Sequence, residues 1–270
     1  MQKIVLWGML YVLSVPLLCF GQFSGNNLVE FQNGKLPSDN SSFSTVYNRL
    51  VTNYQYKGLK ALGTIEAFQS PIENRNYINL SQFSLRYKQD AFSIRLGNFY
   101  ETIGRGTLLR SFEIPGAILE DLSYRSRHYF NRDILGAVAR IKFKNIETKL
   151  IYGKPLNYVF PPTQVNSRRL DEIAAVYSEY NKNQQTVGAA LMNYWNSGDN
   201  TTYGMITASG IISPSLSYYS ELSKNINDYT IEDFSDQSSF ALYTGINYTY
   251  NSFGLSLEYK TIKISKSALV

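Results

Sequence analysis

From residue 43 onward, hydrophobic and polar positions alternate with a period of two. In 91–100, Phe92, Ile94 and Leu96 share one face, and Ser93, Arg95 and Gly97 share the other. In 134–143, Leu135, Ala137, Ala139, Ile141 and Phe143 oppose Gly136, Val138, Arg140 and Lys142. The same pattern runs through 146–153, 240–250 and 253–260. It recurs less cleanly in 45–57, 59–69, 77–87, 171–180, 186–195, 201–211 and 215–223. Half-apolar, half-polar runs of this period predict strands with two different environments. The pattern yields about twelve strands, give or take two. In 77–87 the apolar face switches between Leu80 and Phe83, the mark of a bulge or of a slipped register.

Run length narrows the fold class. Strands of soluble proteins average about 5–6 residues, whereas a strand crossing a bilayer needs roughly 9–11. Most runs here reach about 9–12 residues, within the membrane range. Lys88-Gln89-Asp90, Lys144-Asn145 and Tyr250-Asn251-Ser252 are short links between runs, while 101–132, 154–170 and 224–238 are long ones. Tight turns at one end and long loops at the other are the habit of an outer-membrane barrel. Arg95, Arg140, Lys142, Glu147, Lys149, Glu258 and Lys260 all lie opposite the apolar stripe. A charge at the lipid midplane costs about 2–4 kcal/mol, so these side chains belong in a lumen. The expected fold is all-β, an antiparallel transmembrane β-barrel over 43–270. A soluble sandwich or solenoid with one wet face would show the same sidedness and stays open at this point.

Composition fits the barrel. The 270 residues include 22 Tyr and 15 Phe, which suit pleated surfaces and membrane interfaces. The mean hydropathy of -0.23 argues against a helical membrane bundle and is compatible with a polar lumen. The net charge of +5 is mild and scattered, without the patch that a nucleic-acid binder needs.

The N-terminus reads as an export signal. Lys3 precedes an apolar run from Ile4 to Leu18, and Cys19-Phe20-Gly21-Gln22 ends it, with a cut expected between Gly21 and Gln22. The expected organisation is a signal peptide over 1–21, a flexible Ser/Asn/Gly-rich lead-in over 22–42, then the barrel. Cys19 is the single cysteine, so the mature chain would hold neither a disulfide nor a thiol nucleophile.

One segment carries a family resemblance. Gly97-Asn98-Phe99-Tyr100-Glu101-Thr102-Ile103-Gly104-Arg105-Gly106-Thr107-Leu108-Leu109-Arg110-Ser111-Phe112-Glu113 resembles a stretch in a family of uncharacterised Bacteroidetes outer-membrane proteins, the DUF6029-like proteins. Gly136-Ala137-Val138-Ala139-Arg140-Ile141 and Tyr152-Gly153-Lys154 take the places of two further motifs, and Phe20-Gly21-Gln22 is in the style of that phylum. The resemblance spans roughly 43–260, implies a barrel and implies no known activity. The motif positions are Gly97, Asn98, Phe99, Tyr100, Glu101, Gly104, Gly106 and Arg110. The chain departs from the family over 114–132, looks shorter than its members, and ends in Ile264 to Val270 without a terminal aromatic. A truncated, N-terminal fragment of a longer barrel therefore stays open beside a complete one.

Catalytic chemistry has thin support. His128 is the sole histidine, and Ser126 and Asp133 near it in sequence fix no triad geometry. Gly104-Arg105-Gly106 lacks the Lys and Ser/Thr of a phosphate loop and reads as a sharp turn or bulge. Glu113, Glu120 and Asp121 share their stretch with Arg105, Arg110, Arg125, Arg127 and Arg132. Such mixed charge suits a loop folded into a pore, with Arg95, Arg105, Arg110, Glu113, Arg140 and Lys142 as lumen or constriction residues. A plain solvated loop is the competing reading. Together these features favour a porin-like outer-membrane channel for small polar solutes. The alternative is a structural or interaction barrel of a surface or secretion complex. Neither an enzyme nor a cofactor or metal is expected, and the partners are outer-membrane lipid and a small solute, with no nucleic acid.

Overall fold

A computed structural model describes residues 21–35, 40–71, 76–121, 124–155, 171–196, 199–226 and 240–263. Seventeen strands follow in chain order: β1 (Gln22–Lys35), β2 (Ser42–Tyr56), β3 (Leu59–Gln69), β4 (Tyr77–Lys88), β5 (Phe92–Phe99), β6 (Thr102–Ile103), β7 (Leu109–Arg110), β8 (Phe112–Asp121), β9 (Tyr124–Arg132), β10 (Ile134–Phe143), β11 (Ile146–Pro155), β12 (Glu172–Lys182), β13 (Gln185–Asn196), β14 (Asp199–Ser213), β15 (Leu216–Asn225), β16 (Phe240–Tyr250) and β17 (Phe253–Lys263). Thirteen of them form one antiparallel sheet in the order β1-β2-β3-β4-β5-β10-β11-β12-β13-β14-β15-β16-β17. The pairs β6-β7 and β8-β9 are separate hairpins between β5 and β10.

Each of the twelve runs read from the alternation is a strand of this sheet. The thirteenth is β1. Residues 22–35 fall in the expected flexible lead-in, yet they pair in register with β2 from Gln22↔Gln55 to Lys35↔Ser42. Their Ser, Asn and Gly content weakens the alternation while leaving backbone N–H and C=O free to pair. The long link expected over 101–132 likewise contains four strands, two of two residues and two of ten and nine. The expected signal peptide and the links at 156–170 and 227–239 lie outside the described residues.

Tight turns of two or three residues close one end of the sheet. Lys57, Lys144, Asn183 and Asn251 all sit at positive φ, the left-handed geometry that matches the twist of a tight hairpin. The long connections lie at the opposite end. The face switch in β4 is a bulge: Thr64 pairs with Gln82 while Ile65 pairs with Leu80, leaving Ser81 as the extra residue.

The two faces of the sheet are inverted relative to a soluble protein. One row in register reads Tyr87, Ile94, Ala139, Leu150, Val176, Leu191 and Gly204 across seven strands, and every member is apolar or aromatic. Its large members face outward; Leu191 is 53% exposed, and neighbouring Ile206 is 61% exposed. Tyr56, Tyr87, Phe92, Phe143, Tyr180, Tyr250 and Phe253, all exposed, ring the outer face beside the tight turns. The opposite face buries Thr64, Glu66, Gln82, Asp133 and Glu221. A wide exposed apolar surface with an aromatic girdle, backed by buried carboxylates, is the arrangement of a membrane barrel and not of a soluble sandwich.

The sheet is rolled about its polar face. Arg49 on β2 contacts Glu113, and Glu221 on β15 accepts the N–H of Arg105. On a flat sheet, the nine strand spacings from β2 to β15 would place these strands about 43 Å apart. The eight residue steps from Arg105 to Glu113 span at most about 29 Å even when extended, and the β6-β7 hairpin folds part of them back. Among the described residues β1 and β17 do not pair with each other, and the odd strand number makes the two run in the same direction.

The outer row yields a direct test. Leu191→Arg is expected to cost about 2–4 kcal/mol of folding free energy in lipid vesicles, measured by urea titration with heat-modifiable gel mobility as the readout. A substitution to Arg at Ser256, on the inner-face register of β17, is expected to cost far less. Equal costs would contradict the assignment of faces.

Candidate functional site

The inner face receives the segment between β5 and β10. The chain leaves β5 at Phe99, turns inward, and forms the short pair Thr102↔Arg110 and Ile103↔Leu109. Phe99 and Ile103 are fully buried against Ile134, Val138, Ile151, Ile173 and Met205. Leu108 and Leu109 pack on the same cluster. Apolar burial therefore pins this hairpin to the wall of the barrel.

The neck of the segment is closed by polar groups. The amides of Gln82 and Asn98 both donate to Asp133, at 3.0 and 2.9 Å. Gln82 also donates to the Tyr100 hydroxyl at 2.6 Å, and Tyr100 donates to Asn131 at 3.0 Å. The Asn98 side-chain carbonyl accepts the Phe83 N–H at 2.9 Å. One step on, the Ser111 hydroxyl accepts the Glu101 N–H at 2.6 Å and donates back to the Glu101 carbonyl at 2.9 Å. Burial, then the nearby Glu113 carboxylate, pushes the Tyr100 phenol well above its ordinary value, so it stays a neutral donor and acceptor.

The tip is held by a carboxylate. Glu221 on β15 is fully buried. It accepts the N–H of Arg105 at 2.6 Å and that of Thr107 at 2.8 Å. The hydroxyls of Thr107 and Tyr219 donate to it as well. Two backbone amides in a tight turn reach one carboxylate because Gly104 sits at φ +58°, and a Cβ there would collide with Glu221 Oε2. Gly106 also has positive φ. These are the sharp-turn glycines that the sequence suggested.

The base carries ions. Glu101, nearly buried, pairs with Arg140 at 2.6 Å and Lys149 at 3.1 Å. Burial alone would raise its carboxyl, but the Arg140 hydrogen bond and the charges of Lys149 and Arg140 outweigh it, holding it below its ordinary value of 4.5. Arg95 and Arg140 lie on the inner wall together, since Arg140 pairs with Ser93 and Val138 with Arg95. Lys142 lies further toward the tight turns, opposite Glu147. Arg105 stacks over Tyr219 at 4.7 Å, and Arg110 over Phe112 at 5.5 Å. Glu113 pairs with Arg49 at 3.3 Å. The six residues proposed from sequence thus spread over the wall, the tip and the base of one inward-folded segment.

The motif residues divide the structural labour. Asn98 and Tyr100 close the neck, Phe99 anchors the core, Glu101 carries the ion pairs, and Gly104 and Gly106 shape the tip. Gly97 has φ +94°, and a Cβ there would collide with the Phe83 carbonyl. The sequence did not single out Glu221, Arg86, Gln82 or Asp133 as part of this site. Glu221 falls in 215–223, where the alternation is blurred by Tyr218 and Tyr219. His128 falls on β9, its backbone paired with Ala117, while Asp133 is engaged by Gln82 and Asn98.

A family model described as a family of unknown function, DUF6029, matches residues 1–267. No curated protein sequence matches. Among solved structures, the chain is similar to Pseudomonas aeruginosa OccK2 (OpdF), crystallised in complex with glucuronate, with 10% identity, TM-score 0.50, and 90% of this chain and 65% of that one covered. It is also similar to P. aeruginosa OccK5 (OpdH), with 12% identity, TM-score 0.48 and coverage of 93% and 70%. A Rhodopseudomonas blastica porin triple mutant matches at 11% identity, TM-score 0.45 and coverage of 90% and 86%. At these identities the likeness concerns the fold alone.

Two outcomes are expected. Glu221→Ala removes the acceptor for two backbone amides; losing even one charge-assisted bond, about 1.5–3 kcal/mol, releases the tip roughly tenfold more often. Trypsin cleavage after Arg105 and Arg110 should accelerate accordingly, and an unchanged rate would exclude the clamp. The Glu101 carboxyl is depressed in the folded chain, so its contribution is present above the unfolded value and is lost as pH falls through the folded one. Amide exchange over 100–111, corrected for intrinsic rates, should rise at pH 3 relative to pH 6, and Glu101→Gln should abolish the difference.

Proposed function

The chain belongs to DUF6029, a family of unknown function, and we propose that it is a porin-like channel of the bacterial outer membrane that admits small polar solutes. The observation that carries this reading is the segment 100–111 folded against the inner wall, seated on an apolar cluster and fixed by Glu221 at its tip and by Glu101 at its base. A loop bound inside a barrel sets the cross-section available to a solute. Arg95, Arg140 and Lys142 line the wall beside it, and Arg105 and Arg110 stay exposed on the segment itself. The apolar outer face supplies the contact with lipid. The basic and apolar N-terminus, cut after Gly21, would deliver the chain for export, and its style suggests a Bacteroidetes cell.

A second reading has one observation in its favour. Ile103 and Phe99 are packed as tightly as a soluble core, so the inward segment could serve as a fixed plug in a scaffold barrel that binds a surface partner. Planar-bilayer recording separates the two. The purified, heat-modifiable protein is expected to insert with discrete, ohmic current steps. Folded protein that inserts and carries no current would sink the channel reading and leave the scaffold.

A further inference from the structure

The inner wall beside the inward segment carries more positive charge than its surroundings neutralise. Arg86 on β4 and Arg95 on β5 are directly opposed in register. Arg95 is in turn opposite Val138, one diagonal step from Arg140, and Arg140 is opposite Lys149. Lys60 faces Arg86 from the other side. Glu101 is the carboxylate that reaches this group, and it is shared by Arg140 and Lys149. Among the described residues, Arg86 and Arg95 are within ion-pair distance of no carboxylate. Both are half-buried. Like charges directly opposite on a sheet destabilise it, so a pair left without a counter-ion on a half-buried wall costs stability unless something else neutralises it.

The space between them fits an anion. A cavity of about 60 Å³ is lined by Arg86, Ser93, Arg95, Glu101 and Arg140. Liquid water occupies about 30 Å³ per molecule, so the cavity suits a group of a few heavy atoms. Guanidinium forks match a planar carboxylate with two parallel hydrogen bonds, and the Ser93 hydroxyl adds a neutral donor. The site also has a basic neighbour. Arg86 lines a second cavity of about 360 Å³ at the tight-turn end, together with Lys57, Lys60 and Lys88. Asp90 also lines that second cavity, so its lining is basic with one acid, and Arg86 stands in the walls of both cavities.

We propose that Arg86 and Arg95, with Arg140 beside them, form a binding subsite for the carboxylate of a small organic anion on its way past the inward segment. This rests on the channel reading and names its substrate class. Both guanidinium side chains line one cavity, and the carboxylate would sit between them. Glu101 sets the position of Arg140 and limits the excess charge, so that the anion is held and then released.

The test uses the full chain and two solutes of similar size, gluconate and uncharged sorbitol. Equilibrium dialysis of the detergent-purified protein at low salt is expected to show gluconate binding. The double variant Arg86→Gln/Arg95→Gln should weaken that binding about tenfold or more, while Lys260→Gln, on β17, should not. Arg86→Lys/Arg95→Lys keeps the charge and loses the forks, and should fall between. Heat-modifiable mobility confirms that each variant is folded. In liposome swelling, gluconate should enter faster than sorbitol through the wild type, and at the sorbitol rate through the Gln double variant. Gluconate binding that survives the double Gln substitution overturns the subsite, as does swelling at equal rates for both solutes in the wild type. Gluconate binding without any swelling would sustain the subsite and sink the channel reading.

Discussion

A chain in hydrocarbon has no water to satisfy its backbone, so every N–H and C=O must be paired within the protein. In this protein an antiparallel ladder meets that constraint for the eleven interior strands of the main sheet, which are paired on both sides. The rest follows from the ladder. Because side chains alternate across a pleated strand, committing the backbone to the sheet also commits each residue to lipid or to the inner face. The in-register rows show the result: Leu150, Val176 and Leu191 stand on one side, while Arg140, Lys149 and Tyr177 stand on the other. A slip of one residue would exchange the two sets.

The inward segment exploits the space this leaves. A rolled sheet with a polar interior would hold water, and a hairpin can enter it only if its own backbone groups find partners. Glu221 supplies two of them, Ser111 closes the loop upon itself, and the Asp133 network seals the neck. Apolar packing around Phe99 and Ile103 gives the hairpin a fixed seat. The wall charges beside it, above all Arg86 and Arg95, stand at the foot of this segment, where the inner wall is half-buried. Partial burial strengthens every charge interaction there.

Much of the fold was legible in the sequence. The twelve alternating runs are twelve strands of the sheet, the tight turns at Lys144 and Asn251 are where the pattern put them, and the face switch after Leu80 is a bulge at Ser81. The strand β1 was missed because Asn26, Asn27 and Gly25 blur the alternation, although they pair as well as any backbone. Within 97–113 the unusual density of glycine, aromatic and charged residues marked a site, and Gly104 and Gly106 were recognisable as turn formers. Its partners were not legible, because Gln82, Glu221 and Asp133 are ordinary polar residues whose roles arise only from contact.

Periodicity, strand length and the sidedness of charge are local properties, and local properties determine which face of each strand can meet lipid. The sequence by itself therefore determined an all-β fold of long, two-faced strands and the position of its tight turns. Contacts across more than a hundred residues, such as Thr107 to Glu221, depend on how the sheet rolls, and rolling sums small twists over thirteen strands. Only the tertiary structure could decide that the 100–111 segment enters the barrel, which carboxylate receives its tip, and which two arginines line one cavity at its foot.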